Sequence, residues 1–398
     1  MRRHVRALVG LTAVLALVTA GTAGAADGDK KSKKLEGEVS ILHWAGYAEK
    51  GETPDYETVD WVTPFEEKTG CKASTKQFNT SDEAFKLFST GQYDVVSASG
   101  DSALRSIVNG DAAVIDLKRV ENYDDLAGFM KDQAWNSYKG KDYGVPHGWG
   151  ANVLMYNTDA VTPAPNSWSV VFDSAGDYAG KVTAPDNPIY IADAALYLKS
   201  TQPDLGIEDP YALDKKQFKA AVDLLKAQKA DIGEYWSTAF GEYESFSKAS
   251  LVVGSSWEYQ ANLLLADGTP PIATTIPEEG ATAWSDNWLI QKKAKHPNCA
   301  YAWINWITQP DVQSQVAEWF GEAPANLKAC ELTSDGGLHL GTPTDNPTNC
   351  DTYHAEDPAF YDQLSYWITP TAKCLDGRKV KCVPYKEWLQ AWDEIKAS

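Results

Sequence analysis

The fold is constrained most strongly by a regular alternation of strand-like and helix-like segments. The stretch "EVSILHWAGY" is typical of a strand that runs into a turn, and "SDEAFKLFSTG" has the spacing of a helix with Ser81 as its N-cap. The next segments, "YDVVSASG" and "DSALRSIVNG", repeat a short apolar strand and a helix that ends at Gly110. Because strands separated by helices usually pair in parallel, this order predicts an α/β fold with largely parallel sheets.

Later segments extend the pattern. The stretch "YGVPHGWGANVLMYNTDAV" predicts a long apolar strand, and "CAYAWINWITQPDVQSQVAEWFG" predicts two helices divided at Pro310. In "VPYKEWLQAWDEIKA", Trp388, Trp392 and Ile395 recur at spacings of four and three, so this segment is expected to dock as a C-terminal helix.

The N-terminus has the pattern of a secretory signal peptide. Residues 1–26 carry three Arg ahead of a short apolar run and end with Ala23, Gly24 and Ala25 among small residues. The first cysteine is Cys71, so the cysteine that a lipoprotein needs after its cleavage site is missing. We therefore expect a free periplasmic or secreted protein, with residues 27–36 as a flexible tether.

The charge is strongly acidic. The formal net charge is -19, and loss of the three Arg of the signal peptide would take it to -22. This balance disfavours nucleic acid and anionic membranes as partners, because both select for basic surfaces. It suits a cationic ligand only weakly, because many exported proteins are acidic for solubility alone.

The six cysteines are an even number in an exported chain, which predicts three disulfides. Short spacings pair Cys374 with Cys382 and Cys330 with Cys350, which leaves Cys71 with Cys299. Metal binding is the alternative, but the chain has no CxxC motif and its six His are far apart in sequence.

One strand carries an acid between tryptophans. In "AWSDNWLI", strand alternation places Trp284, Asp286 and Trp288 on one face. A core strand would not contain Asp286, because a buried unpaired charge costs roughly several kcal/mol. A solvent-exposed face would not need two tryptophans. A ligand contact explains the combination, because aromatic faces attract ammonium groups and a carboxylate pairs with them.

The chain resembles a known family, the bacterial solute-binding proteins of ABC importers, and most closely its spermidine/putrescine-binding branch. Six stretches carry the resemblance in the family's order: "ILHWAGY", "FEEKTGCK", "GQYDVVSASGD", "YGVPHGWGANVLMYN", "IPEEGATAWSDNWLI" and "WITQPDVQSQVAEWFGEAPAN". The resemblance implies a two-lobed periplasmic-binding-protein fold, type II-like, with a ligand cleft between the lobes. It also implies a small cationic solute and a membrane permease as partners. We expect a monomer without a cofactor.

The expected lobes are discontinuous in sequence. Lobe 1 is assigned to residues 37–144 plus 276–325, and lobe 2 with the C-terminal segment to residues 145–275 plus 326–398.

The resemblance also implies binding residues in the first lobe. Trp44 and Tyr47 match the family's first two aromatic contacts, and Trp284 and Asp286 match its aromatic and acidic pair. Ser99 follows the strand "YDVV" and is included with them.

Asp101 stands where the polyamine-binding relatives usually carry an aromatic residue, and it is open to two interpretations. It begins a helix, so it is either an N-cap or a ligand contact.

The second lobe departs from the family pattern. Relatives place an Asp and a Glu three residues apart, where this chain has Asn187 and Tyr190, with Asp186 beside them. A tryptophan expected at the end of "LVVG" is displaced to Trp257, next to Glu258.

Glu322 occupies a position where relatives often have Tyr and would restore a negative charge. These departures make the class of ligand clearer than its identity.

Two other functions were compared with amine binding. Catalysis finds no support, because GxSxG, HExxH and P-loop motifs are missing, and His43 and His147 are better explained as hydrogen-bonding residues. Binding of a betaine, another quaternary amine or a sugar stays open, because aromatic stacking serves these solutes as well. The sequence therefore predicts a binding protein, not an enzyme.

Overall fold

The computed structural model describes residues 34–52, 58–173, 176–268, 270–333 and 349–398. The predicted signal peptide and most of the predicted tether lie outside the described residues. Within these ranges the strands are β1 (Glu38–Trp44), β2 (Lys72–Phe78), β3 (Val95–Ser99), β4 (Ser137–Tyr138), β5 (Lys141–Asp142), β6 (Gly144–Asn157), β7 (Val182–Pro185), β8 (Ile232–Trp236), β9 (Val253–Trp257), β10 (Ile272–Thr275), β11 (Ala281–Ile290), β12 (Ala323–Pro324) and β13 (Leu364–Tyr366).

The helices alternate with these strands, as the sequence predicts. They are α1 (Val62–Thr69), α2 (Ser81–Ser89), α3 (Gly100–Asn109), α4 (Ser169–Phe172), α5 (Ile191–Thr201), α6 (Lys215–Gln228), α7 (Ala239–Ser247), α8 (Glu258–Asp267), α9 (Pro297–Ile307), α10 (Pro310–Phe320), α11 (Cys330–Thr333), α12 (Asn349–Thr352), α13 (Pro358–Tyr361) and α14 (Tyr385–Ala397). Along the described part of the chain, no helix has the length and hydropathy needed to cross a membrane.

The main sheet has the strand order β2, β1, β3, β11, β6, β9, β7, β8. Its outer strands are parallel: β1 pairs with β2 and β3, and β7 pairs with β8 and β9. The centre is antiparallel, because β11 and β6 run against each other and against their outer neighbours. The predicted parallel pairing is therefore found only toward the two edges of the sheet.

Strand β6 belongs to both halves of the sheet. Its residues 144–151 pair with β11, whereas residues 152–157 pair with β9 and β10. We call the half that contains β1, β2, β3 and β11 the first half, and the half that contains β7, β8, β9 and β10 the second half. The two halves share one strand, and the described residues from Leu35 to Ser398 form a single compact unit.

The topology places the ends of parallel strands next to β11. Strands β1 and β3 end at Trp44 and Ser99, and β3 pairs with β11 through Ser99 and Asp286. In α/β sheets, ligands bind outside the carboxyl ends of parallel strands. The first half of the sheet therefore has its candidate site at this edge.

The three predicted disulfides are confirmed: Cys71–Cys299, Cys330–Cys350 and Cys374–Cys382. The first joins the residue before β2 to α9, and the second joins α11 to α12. In the part of the chain that is described, no group of three or more His, Cys, Asp or Glu is arranged to hold a metal ion.

The C-terminal segment contacts both halves of the sheet. Strand β13 lies parallel to the start of β11, and Tyr366 stacks on Trp135 with ring centroids 5.3 Å apart. The segment then returns to the second half, where α14 packs on α6 through Trp388 and Phe218. Trp388 is fully buried, as the predicted docking of this helix requires.

One predicted helix start is shifted by a residue. Thr80, not Ser81, is the N-cap of α2, and its hydroxyl group accepts a hydrogen bond from the backbone N–H of Glu83 at 3.1 Å. Ser81 instead donates its hydroxyl hydrogen to the carboxylate of Asp101 at 2.9 Å. The sequence pattern predicts an N-cap at this position, but it does not distinguish between the adjacent residues Thr80 and Ser81, because both residue types are good N-caps.

Candidate functional site

Residues from β1, β3 and β11 meet at the edge of the first half of the sheet. The indole N–H of Trp44 donates a hydrogen bond to the hydroxyl oxygen of Ser99 at 3.2 Å. Ser99 lies opposite Asp286 in the β3–β11 register. The structure thus brings together three residues that the sequence assigned to the site.

Tyr47 joins two buried acids. Its hydroxyl oxygen lies 2.8 Å from Oδ2 of Asp286 and 2.6 Å from Oε2 of Glu322. Tyr47 and Glu322 have no exposed surface, and Asp286 is 2% exposed. Three predicted site residues therefore form one hydrogen-bonded cluster, in which Tyr47 is more than 200 positions from each of the two acids in the chain.

This cluster holds at least one carboxylic proton. The hydroxyl group of Tyr47 has a single hydrogen, so it donates to only one of the two neighbouring oxygens. The second short contact requires a hydrogen on the carboxyl group of Asp286 or Glu322. Burial raises the pKa of Asp286 to about 7, although the hydroxyl groups of Ser99 and Tyr47 lower it. Burial also raises the pKa of Glu322 well above its usual value.

His147 in β6 lies next to this cluster without neutralising it. Its Nε2 atom is 3.5 Å from Oε1 of Glu322, and its ring meets the edge of Tyr47 at a centroid distance of 4.3 Å. Complete burial lowers the pKa of His147 to about 3, so the imidazole ring is neutral near pH 7. The sequence suggested a hydrogen-bonding role for His147 but did not connect it to Glu322.

Glycines in β6 make room for the site residues. A Cβ atom at Gly148 would lie 2.3 Å from the carboxyl carbon of Glu322, and one at Gly150 would lie 2.6 Å from the ring of Trp284. Both distances are too short for real atoms. The sequence "HGWGA" therefore removes two side chains from the face of β6 on which Glu322 and Trp284 lie.

Glu322 is also positioned by Asn349, which precedes the second cysteine of the Cys330–Cys350 disulfide. The side-chain amide of Asn349 donates a hydrogen bond to the backbone carbonyl oxygen of Glu322 at 2.9 Å. Cys350, the next residue, is joined to Cys330. The disulfide thus holds the residue that contacts Glu322.

Trp284 and Asp286 retain unused polar atoms. Trp284 is 6% exposed and meets the edge of Phe320 at a centroid distance of 5.7 Å. Its indole nitrogen and Oδ1 of Asp286 have no hydrogen-bond partner among the described residues. The indole nitrogens of the core residues Trp288 and Trp303 have no partner there either, so Trp284 and Asp286 are candidates for a ligand contact through their place beside Tyr47 and Glu322.

Trp288 serves the core. Its ring is fully buried and meets Trp303 edge-on at a centroid distance of 5.7 Å. The β6–β11 register shifts between Asp286 and Asn287, just before this residue. Of the two tryptophans beside Asp286, Trp284 is therefore the better candidate for a ligand contact.

Asp101 is not an N-cap, so the capping interpretation is wrong. Ser99 precedes α3, which begins at Gly100, and no side chain caps this end. Asp101 lies in the first turn, completely buried, and burial raises its pKa to about 6. Its contact with Ser81 uses one carboxylate oxygen, and its role in ligand binding stays a prediction.

Two residues predicted in the second lobe have contacts within the second half of the sheet. The side chain of Asn187 accepts a hydrogen bond from the backbone N–H of Ile189 at 3.1 Å and so caps a short turn. The hydroxyl group of Tyr190 accepts a hydrogen bond from Gln228 at 3.1 Å, and its ring packs against Trp392. The structure does not bring either residue into the cluster around Tyr47.

Trp257 lies at the end of β9, opposite Asn152 of β6. Residues opposite each other in antiparallel strands point to the same face, so Trp257 and Asn152 share a face of the sheet. The neighbouring Glu258 accepts a hydrogen bond from the backbone N–H of Ala151 at 3.1 Å, and burial raises its pKa to about 8.

Sequence reasoning missed Asp193 in α5. The hydroxyl group of Thr282 donates a hydrogen bond to Oδ1 of Asp193 at 2.8 Å. Asp193 follows Tyr190 by three residues, so it lies on the same side of the helical segment, one turn further along. That spacing was the signal that could have found it.

Comparison with known proteins identifies the family. Residues 60–336 match the family described as bacterial extracellular solute-binding protein. The chain belongs to this family. Its members bind solutes for transport and are not enzymes as a class.

Curated relatives of this solute-binding protein include two from well-studied bacteria. The spermidine/putrescine-binding periplasmic protein of Escherichia coli K12 is 27% identical over 288 residues, which cover 70% of this chain and 79% of that protein. The putrescine-binding periplasmic protein SpuD of Pseudomonas aeruginosa is 26% identical over 349 residues, with 84% and 88% covered.

Solved structures support the two-lobed periplasmic-binding-protein fold. A putative spermidine/putrescine ABC transporter protein from Listeria monocytogenes aligns with a TM-score of 0.67 at 18% identity, covering 91% of this chain and 98% of that one. The protein MotA from Agrobacterium tumefaciens B6, solved with glucopine, also gives 0.67 at 18% identity, covering 90% and 99%. The expected fold class is confirmed.

Proposed function

We propose that this solute-binding protein captures a polyamine of the spermidine or putrescine type and delivers it to the permease of an ABC importer. The observation that carries the proposal is the buried cluster in which Tyr47 joins Asp286 and Glu322, with Trp284 beside it. Carboxylates pair with ammonium groups, and an aromatic ring packs on the methylene groups between them.

An ammonium group suits the hydrogen-bonding needs of this cluster. It brings three hydrogens, so both carboxyl groups can become charged acceptors while Tyr47 donates its own hydrogen. Contact between a cation and an aromatic face contributes about 0.5 to 2 kcal/mol. A sugar hydroxyl group supplies one hydrogen and no charge, so it cannot compensate the charges of Asp286 and Glu322 when both are ionised. The cluster therefore favours an amine over a neutral solute.

The relatives support the same class of ligand. The Escherichia coli and Pseudomonas aeruginosa proteins are named for spermidine or putrescine binding, and both are periplasmic. We accordingly propose export of this chain through residues 1–26, action as a monomer, and lobes divided as residues 37–144 plus 276–325 and residues 145–275 plus 326–398.

A thermal-shift screen across polyamines, betaines, amino acids and sugars tests the proposal. At a ligand concentration one hundred times the dissociation constant, stabilisation reaches about 2.7 kcal/mol, which is measurable as a rise in melting temperature. Spermidine or putrescine should give the largest rise in the wild type and a much smaller rise in Asp286→Asn. A shift with betaines or sugars alone would contradict the proposal and favour the other solute classes.

A further inference from the structure

A second buried acid lies on the face of β11 that carries Trp284 and Asp286. Asp193 reaches this face from α5 in the second half of the sheet and accepts a hydrogen bond from Thr282 at 2.8 Å. Thr282 in turn accepts a hydrogen bond from the side-chain amide of Asn152 at 2.7 Å. Asp193 is 5% exposed, and no cationic side chain of the described residues lies within ion-pair distance of it.

The two acids are separated along one strand. One face of β11 carries every second residue, namely Thr282, Trp284 and Asp286. The irregularity in the β6–β11 register comes only after Asp286 and does not disturb this order. Four strand residues span about 13 Å, so Asp193 marks one end of this face and Asp286 the other. The ring of Trp284 lies between them, above Gly150.

The same face carries aromatic rings and unpartnered polar atoms. Trp257 points to the same face as Asn152, next to Thr282, and is only partly buried. The indole nitrogens of Trp257 and Trp284 and Oδ1 of Asp286 have no hydrogen-bond partner within the described ranges. The face therefore offers an acid at each end, aromatic rings along its length and buried polar atoms still to be satisfied.

We propose that Asp193 is the second carboxylate that anchors the ligand, so that the ligand is a linear cation with an ammonium group near each end. This inference rests on the proposed binding of amines and adds the residue that selects a ligand with two charges. A betaine or a simple monoamine would satisfy Asp286 and leave Asp193 unpaired.

The neighbouring candidates in the same segment have other partners. Asp186 accepts hydrogen bonds from the indole N–H of Trp392 and from the ammonium group of Lys396, both at 2.8 Å. Asn187 caps a turn, and the ring of Tyr190 is buried in the second half of the sheet. Asp193 is thus the residue of this segment whose carboxylate contacts β11.

Titration calorimetry with spermidine and an N-acetylated spermidine tests the inference. Acetylation removes one terminal charge, so the wild type should bind spermidine at least about tenfold more tightly than the acetylated form. Asp193→Asn keeps an oxygen that can accept from Thr282 but removes the charge. It should lose about tenfold or more in affinity for spermidine and little for the acetylated form.

Asp186→Asn is the matched control, because it makes the same change seven residues earlier, at a carboxylate that pairs with Lys396. It should leave both affinities unchanged. Equal spermidine affinity in wild type and Asp193→Asn would overturn the inference while leaving polyamine binding intact. Failure of the wild type to bind any polyamine would overturn both.

A second variant covers the case in which Asp193→Asn does not fold. Asp193→Glu keeps the charge and moves it by one methylene group. Across a series of diaminoalkanes, the chain length of the tightest ligand should therefore differ between this variant and the wild type. An unchanged optimum would contradict the role of Asp193.

Discussion

The ring of Trp284 occupies the space that a side chain at residue 150 would fill, since a Cβ atom on Gly150 would lie 2.6 Å from it. Gly150→Ala should therefore push the indole ring out of its position and lower polyamine affinity by about tenfold or more, as overpacking typically costs about 1 to 3 kcal/mol. Calorimetry measures the affinity. The control is Gly128→Ala, where nothing lies within 4 Å of an added Cβ atom. Equal affinities in both variants would show that Trp284 does not contact the ligand.

Charge at residue 286 should matter more than shape. Asp286→Asn keeps the volume and removes the charge, so we expect at least about tenfold weaker binding, whereas Trp284→Phe should cost less because a smaller ring still stacks. Affinity of the wild type for spermidine should fall as salt rises, and the fall should be shallower in Asp286→Asn. Calorimetry at two ionic strengths measures both slopes. Asp223→Asn on exposed α6 is the control, and equal slopes in wild type and Asp286→Asn would exclude an ammonium partner for Asp286.

The ligand-free protein should lose stability as the pH rises from 5 to 8. Burial raises the pKa of Asp193 and Asp286 from 3.8 to about 7, so the folded state holds protons that the unfolded chain has released. The stability that the protonated forms of Asp193 and Asp286 contribute is fully present below about pH 4. It is lost as the pH rises toward 7. Melting temperatures across this range measure the loss. Asp286→Asn should show a shallower decline, and a decline as steep as that of the wild type would contradict the raised pKa.

The Cys330–Cys350 disulfide should support both stability and binding. Replacing both cysteines by Ser should lower the free energy of unfolding by about 2 to 4 kcal/mol. It should also weaken spermidine binding, because Asn349 holds the backbone of Glu322. The double variant of Cys374 and Cys382 is the control, with reduced stability and unchanged affinity. Equal spermidine affinity in the two double variants would show that the Cys330–Cys350 disulfide does not support the binding site.

Ligand binding should compact the protein in solution. Tyr47 and Glu322 have no exposed surface, so a ligand reaches them only if the lobes open. Small-angle scattering should show a smaller radius of gyration when spermidine saturates the wild type, as expected for a receptor that closes by a hinge. The control is Asp286→Asn with spermidine at a concentration below the dissociation constant of this variant. An unchanged radius in the wild type at saturation would indicate a rigid binding module.

Strand alternation was enough to place Trp284 and Asp286 on one face of β11, because a two-residue period fixes which side chains share a face, and their role in binding stays a prediction. The disulfides followed from short spacings for two pairs and from the two cysteines that remained. These are local rules, and the structure confirms the pairings that they predicted.

The second half of the sheet could not be predicted in the same way. Asn187 precedes a proline, and its side chain is used within its own turn. Which residue of α5 contacts β11 depends on how the helix docks, and a mixed apolar and acidic sequence such as "IADAALYLK" does not reveal that orientation. The three-residue spacing from Tyr190 makes Asp193 a candidate, and the hydrogen bond from Thr282 shows that it faces β11.

The strand shared by the two halves of the sheet has a consequence for how small this receptor can be. Both halves use β6 as one of their own strands, with partners along each of its edges. A chain cut to contain one half would either lose this strand or expose a long unpaired edge, which invites aggregation. We therefore expect neither half to fold as a smaller fragment, so that Asp193 and Asp286 belong to one folding unit.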